Sequence, residues 1–355
     1  MLIERFLQTG RDFLGCDIPI MCGAMTWISE HALVKAIGDA GGFGFLAGGN
    51  NPVDVLKKEI IATRETCDKP FGVNLITVAP MYKEHLNLVC EMKCATIMLA
   101  GAIPKESEIR QAQDAGAKVI CFAPTAPLAL KLIDAGADAL VLEGSEAGGH
   151  IGPVTLTVLL QQILFEVETV PIFVAGGIAT GRMMAHLLMM GAAGIQMGTR
   201  FVMSQECRAH PRFKEMFRKA RARDAVATPQ FDSRLPVVPV RALKNEGTLE
   251  FAKLQLELLY KLDHAIIDRK DAVQAVERFW AGALREAVIE GEVKKGSLMA
   301  GQSVGLVDVV KPIKAIMAEM VDDAEAEIQR LNRILTHPVP GTTVSDPDAI
   351  CKRSL

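Results

Sequence analysis

One junction recurs along this chain: a helix ending in Ala-Gly or Met-Gly, one or two small residues, then a short apolar run. It occurs at Ala40-Gly41, Ala115-Gly116, Ala135-Gly136 and Met190-Gly191, where glycine suits the left-handed residue that closes a helix. Between such helices the sequence predicts eight strands, around residues 18–21, 42–46, 71–75, 95–99, 118–122, 139–142, 172–175 and 194–197. Each is almost wholly apolar, as expected of parallel strands buried on both faces, and they recur roughly every 20 to 35 residues. Eight such units predict an α/β fold of the (β/α)8 TIM-barrel type; a doubly wound open sheet is the alternative that strand number alone leaves open.

The glycines favour closure. From Pro171 to Phe201 the chain reads PIFVAGGIATGRMMAHLLMMGAAGIQMGTRF. Two consecutive strand ends, at Gly176-Gly177 and Gly198-Thr199, deliver residues whose backbone N–H groups an anion can approach. The helix opening near Thr180 to Arg182 would add unpaired donors. This is the pattern of a phosphate cradle built after the last two strands of a barrel.

Residues 1–203 form the predicted barrel, and 204–296 a mainly helical subdomain added after the eighth strand. Within it 204–224 is polar and helical, the proline-bearing 228–240 is irregular, and 248–290 returns to helical periodicity. Residues 297–335 carry a glycine-rich loop with Met299 and a final helix, over about 309–335, whose Ile313, Ile316 and Met320 would dock on the barrel. Residues 336–355, with Pro338, Pro340 and Pro347, make a loose tail.

Half of the 355 residues are hydrophobic and the formal net charge is -3, so a large core is affordable and nucleic acid is not an expected partner. No apolar run is long enough to cross a bilayer, and Glu4, Arg5, Arg11 and Asp12 interrupt what would be a signal-peptide core, so a cytoplasmic protein is expected. The eight cysteines form no CxxC pair; reduced thiols and no metal site are expected.

The chemistry should sit in EGSEAGGHIG, residues 143–152. A carboxylate leaves the sixth strand, a glycine pair follows that would let a flat group approach the backbone, and His150 is carried on a flexible-looking turn at the active face. A histidine there can take or give a proton near neutral pH. The other six histidines fall in helical or tail segments.

Taken in order, PIMCGAMTWIS, DAGGFGFLAGGNNP, PFGVNL, EGSEAGGHIG, PIFVAGGIATGR, IQMGTRFV and GSLMAGQSVGLV resemble the flavin-dependent family that contains enoyl-acyl-carrier-protein reductase II and nitronate monooxygenase. The resemblance covers nearly all of residues 13–335. It implies one FMN, with its phosphate on Gly176, Gly177, Gly198 and Thr199. It further implies that Gly23, Ala24 and Met25 pack along the isoalloxazine, that Asn74, Glu143, Gly149 and Gln196 lie nearby, that Met299 covers the ring, and that His150 handles the proton.

The GSLMAGQ and VRALKN segments lean towards the reductase branch, which reduces 2-enoyl thioesters with NADH or NADPH. Nitronate oxidation with O2 and quinone reduction are the alternatives within the family. Three departures mark this chain: Cys22-Gly23-Ala24-Met25 where relatives commonly show Gln-Gly-Gly-Met, LAGAIPKE after the fourth strand, and QFDSRLPVV without a histidine. The first implies that Cys22 and Ala24 alter the flavin edge. Lys214, Arg218 and Arg221 would share one basic helix face, which is either an ordinary solvated face, a surface that steers an acidic acyl carrier protein, or a site for the NADPH phosphate; a homodimer is expected.

Overall fold

The computed structural model describes residues 1–49, 51–235 and 238–336; the predicted tail beyond 336 lies outside them. Eleven strands follow in order: β1 Ile20–Cys22, β2 Phe43–Ala47, β3 Phe71–Ile76, β4 Thr96–Ala100, β5 Lys118–Phe122, β6 Ala139–Glu143, β7 Gly149–His150, β8 Ile172–Ala175, β9 Gly194–Met197, β10 Ala225–Ala227 and β11 Val240–Leu243. The helices are α1 Glu4–Leu14, α2 His31–Asp39, α3 Val53–Thr66, α4 Tyr82–Glu91, α5 Glu106–Asp114, α6 Ala126–Asp134, α7 Leu156–Leu159, α8 Gly181–Met189, α9 Thr199–Val202, α10 Pro211–Lys219, α11 Glu246–Asp263, α12 Arg269–Arg285 and α13 Ile313–Thr336.

All eight predicted strands form, and they close in chain order β1-β2-β3-β4-β5-β6-β8-β9, every pair parallel, with β1 against β9. The open-sheet alternative is thereby removed. Closure divides the side chains by their period of two. Met21, Phe43, Phe45, Met98, Ile120, Val141 and Phe173 fill the interior, while their neighbours Cys22, Leu46, Ile97, Cys121, Leu142 and Val174 pack outward against the helices.

The helix ends behave as the recurring junction requires: Gly41, Gly116, Gly136 and Gly191 have φ between 85° and 106°. The final helix α13 lies on α8 and α2. Its backbone passes so near Gly181 that a Cβ there would stand 2.2 Å from the Met320 carbonyl oxygen. Ile313, Ile316 and Met320 are buried in this contact layer, as their spacing predicts.

The added segment is less uniformly helical than expected. A continuous 204–224 helix does not form; only α10 and a single turn at Ala222–Asp224 are helical. The strands β10 and β11 join β7 in a three-stranded antiparallel sheet. Short two- to four-residue strands carry too little periodicity to be read in isolation; the partner supplies their order. Above this sheet α11 and α12 pack through Phe251, Val276 and Trp280, which form a core of their own with Leu235 and Val240.

Candidate active site

Alternation places three polar side chains in the barrel interior at its C-terminal end. Asn74 sits between Val73 and Leu75, which face outward; Gln196 sits likewise between Ile195 and Met197, and Glu143 follows outward-facing Leu142. Asn74 and Gln196 are each 7% exposed, and the side-chain oxygens of both are buried without a hydrogen-bond partner. Orphaned buried acceptors are uncommon in folded proteins and point to a group that completes them. Burial pushes the Glu143 carboxyl up to about 8, so near neutrality it keeps its proton and can donate a hydrogen bond.

Beside these residues lies the glycine cradle. Gly176 and Gly177 have φ of 96° and 73°, a region that other residues enter only under strain. A Cβ on Gly176 would also meet the Gly144 backbone at 2.9 Å, whereas one on Gly198 would meet only the Met25 sulfur at 3.5 Å. Among the described residues, no acceptor meets the N–H groups of Gly176, Gly177, Gly198 and Thr199. At the helix opening Thr180 caps α8 by accepting from Met183 N at 3.3 Å, the Gly181 and Arg182 N–H groups have no acceptor among the described residues, and Gly181 is packed by α13.

The first loop runs under the same opening. Gly23 N donates to the Met197 carbonyl at 3.0 Å, and Ser29 ties the loop by accepting from Met25 N and donating to Gly23 O. Ala24 packs on the interior cluster. Cys22 does not reach this edge: it is fully buried in the outward layer, where desolvation pushes its thiol well above the ordinary range. The expectation that Cys22 would alter the flavin edge is therefore corrected by the strand's alternation.

His150 is not on a flexible turn. It lies in β7, where Val240 pairs with it and Arg241 pairs with Gly149. Arg241 locks the preceding turn by donating from Nε and Nη2 to the Ser145 carbonyl at 3.0 and 2.8 Å, and from Nη1 to Ala225 O at 2.7 Å. Of the two glycines of this turn only Gly148 is required by close packing; Gly149, with a φ of 77°, has room above it. A Cβ on Gly148 would stand 2.5 Å from Gly301 N, and one on Gly149 would stand 3.7 Å from the Met299 sulfur.

Met299 bridges to Ala242 of β11, and Gly301 N donates to Thr199 Oγ1 at 3.0 Å. The 297–301 loop thus joins the cradle to the histidine strand. Sequence reading missed the partner of His150: Glu277 of α12, whose Oε1 lies 3.4 Å from His150 Nε2. No local signal identifies it, because the two residues meet only after the subdomain folds back.

The expected basic face is not displayed as a unit. Lys214 spends its ammonium on the Ser204 and Cys207 carbonyls, both at 2.6 Å. Arg218 is held bidentately by Glu215, and Arg221 lies beyond the end of α10. No helix among the described residues is long and apolar enough to cross a membrane.

A family model described as nitronate monooxygenase matches residues 9–85 and 76–323. A relative from Rhodococcus jostii named (3aS,4S,5R,7aS)-5-hydroxy-7a-methyl-1-oxo-octahydro-1H-indene-4-carboxyl-CoA dehydrogenase is 30% identical over 346 residues, covering 91% of this chain and 97% of that protein. A Staphylococcus aureus protein named probable nitronate monooxygenase is 26% identical over 322 residues, covering 76% of this chain and 89% of its own. Among solved structures, FabK from Thermotoga maritima, an enoyl-acyl-carrier-protein reductase II, matches with a TM-score of 0.80 and 36% identity, covering 91% of this chain and 98% of that one.

Proposed function

The chain belongs to the nitronate monooxygenase family of oxidoreductases, and from that premise we propose that it is an FMN-dependent enzyme reducing 2-enoyl thioesters with NADH or NADPH. The observation that carries this reading is the orphaned oxygens of Asn74 and Gln196, buried with Glu143 at the end of the barrel interior, next to a glycine cradle whose N–H groups are unpaired among the described residues. Both β7, with His150, and the Met299 loop pair with β11. The thioester class is supported by two relatives of different kinds, FabK and a carboxyl-CoA dehydrogenase.

FMN fits the residues present: the cradle offers unpaired N–H groups at glycines, and the interior offers orphaned amide oxygens. Gly176, Gly177, Gly198 and Thr199 would hold the phosphate. Gly23, Ala24, Met25, Asn74, Glu143, Gly149 and Gln196 would flank the ring, with Met299 over it. When bound, FMN supplies hydride acceptance from nicotinamide and hydride donation to the alkene.

The rest falls to this chain's own groups. His150 gives the thioester α-carbon its proton. Protonated Glu143 donates a hydrogen bond from within the barrel, and the 297–301 loop, tied to β11 and to Thr199, would cover the ring.

The family's name and the Staphylococcus aureus relative favour a second reading, oxidation of nitronates with O2 by the same residues. Anaerobic mixing with NADH or NADPH separates them. Bleaching of the flavin band, reversed by crotonyl-CoA, is the expected result. Bleaching reversed only by a quinone would reassign the acceptor. No bleaching, with O2 uptake on a nitronate, would establish the second reading.

A further inference from the structure

We propose that Glu277 is the positioning residue for His150: its carboxylate accepts from Nε2–H, fixes that tautomer, and leaves Nδ1 as the nitrogen that exchanges the proton. The inference rests on the proton-handling role proposed for His150. Glu277 Oε1 stands 3.4 Å from Nε2 as an ion-pair contact, from which the hydrogen bond is inferred, with side-chain exposures of 19% for Glu277 and 37% for His150. Among the described residues Glu277 has no other ion-pair or hydrogen-bond partner.

The groups that could compete for the imidazole are committed elsewhere. Glu146 accepts from Leu156 N, Arg241 binds the Ser145 and Ala225 carbonyls, and Glu143 lies at the end of β6 inside the barrel. Both partners are held by their elements. His150 is in a paired strand, and α12 is pinned one turn further on, where Trp27 Nε1 donates to Ala281 O at 3.2 Å. A neutral imidazole carries one proton, so a carboxylate at one nitrogen decides which nitrogen is the base. In hydrolytic triads a buried carboxylate plays the same part for its histidine.

Ring-15N NMR of the full-length, histidine-labelled protein reads the tautomer, with the His150 signals identified by their loss in His150→Asn. In alkaline solution the unsubstituted protein is expected to show the Nε2–H form, and Glu277→Ala a mixture of both. Glu277→Gln, whose amide NH2 can donate to an unprotonated Nε2 as readily as its oxygen accepts, should also lose the pure Nε2–H pattern, whereas Glu277→Asp should keep it in part. Ring shifts unchanged in Glu277→Ala would overturn the assignment.

Kinetics give the second readout. Glu277→Ala should lower kcat about tenfold, with KM for crotonyl-CoA within about twofold, and should cost nothing more in a His150→Asn background. Equal losses in both backgrounds would make Glu277 merely structural and overturn the proposal. The NMR readout needs no substrate, so a protein inactive towards crotonyl-CoA would refute the proposed reaction and leave the tautomer assignment decided on its own terms.

Discussion

Trp27 donates its indole N–H to the carbonyl oxygen of Ala281 across 254 positions of sequence. The tryptophan takes a φ of 66° to do so, a conformation costly for a bulky side chain. Arg208 Nε holds its carbonyl at 2.9 Å, and the Arg285 guanidinium stands 5.9 Å from its ring. The loop carrying Met25 is thereby tied to the helix carrying Glu277.

Replacing Trp27 by Phe keeps the ring and removes the bond. The expected cost is about 1 kcal/mol in denaturant unfolding, with KM for the thioester raised because α12 is less firmly seated. An unchanged midpoint and unchanged KM would show that the tie contributes neither stability nor alignment.

Gly176 and Gly198 should respond differently to alanine. Gly176→Ala must place a Cβ 2.9 Å from backbone at a φ of 96°, so the fold itself should lose at least about 1 kcal/mol. Gly198→Ala meets only the Met25 sulfur at 3.5 Å. It should fold normally yet bind FMN at least about tenfold more weakly, because a methyl group enters the cradle. Equal FMN affinity in Gly198→Ala, measured by flavin fluorescence titration, would remove that residue from the phosphate site.

Gln196 offers a stability test with an unusual sign. Its buried side-chain oxygen has no partner, and removing an unsatisfied buried acceptor is neutral or favourable. Gln196→Met should therefore leave the flavin-free protein as stable as before, or more so, while weakening FMN binding. A clear loss of stability in the flavin-free variant would mean that the amide already serves the fold.

The Glu143 carboxyl fixes a pH dependence. Burial raises it from 4.5 to about 8, so the folded state binds more protons than the unfolded one between those values. Its contribution is fully present below about 4.5 and is lost as pH rises through about 8. Flavin-free protein should lose stability across this window, and Glu143→Gln should flatten that slope in thermal unfolding series. A slope identical in both proteins would assign it to other groups.

Much of this was legible in the sequence because it is locally encoded. The Ala-Gly and Met-Gly junctions mark helix ends that need positive φ, and each apolar run of four to six residues is its own strand signal. His150 and the glycines after β8 and β9 stood out for the same reason, since their residue types suit the proposed chemistry. The details that failed were those that depend on a partner. The strand character of β7, β10 and β11 comes from one another, Cys22 was turned outward by the register of β1, and Lys214 was consumed by carbonyls that the sequence leaves unspecified.

The sequence by itself determined that eight apolar strands would alternate with helices, that glycines would follow the last two strands, and that one histidine would follow the sixth. These follow from backbone sterics and hydrophobic periodicity, which act over a few residues. Only the tertiary structure decided that the barrel closes, that Asn74, Glu143 and Gln196 share its interior, and that Glu277 and Ala281 return from the added subdomain to meet His150 and Trp27. Those pairings join residues more than a hundred positions apart, and no local preference specifies them; they form when α11 and α12 bury their apolar faces in a core shared with Leu235 and Val240.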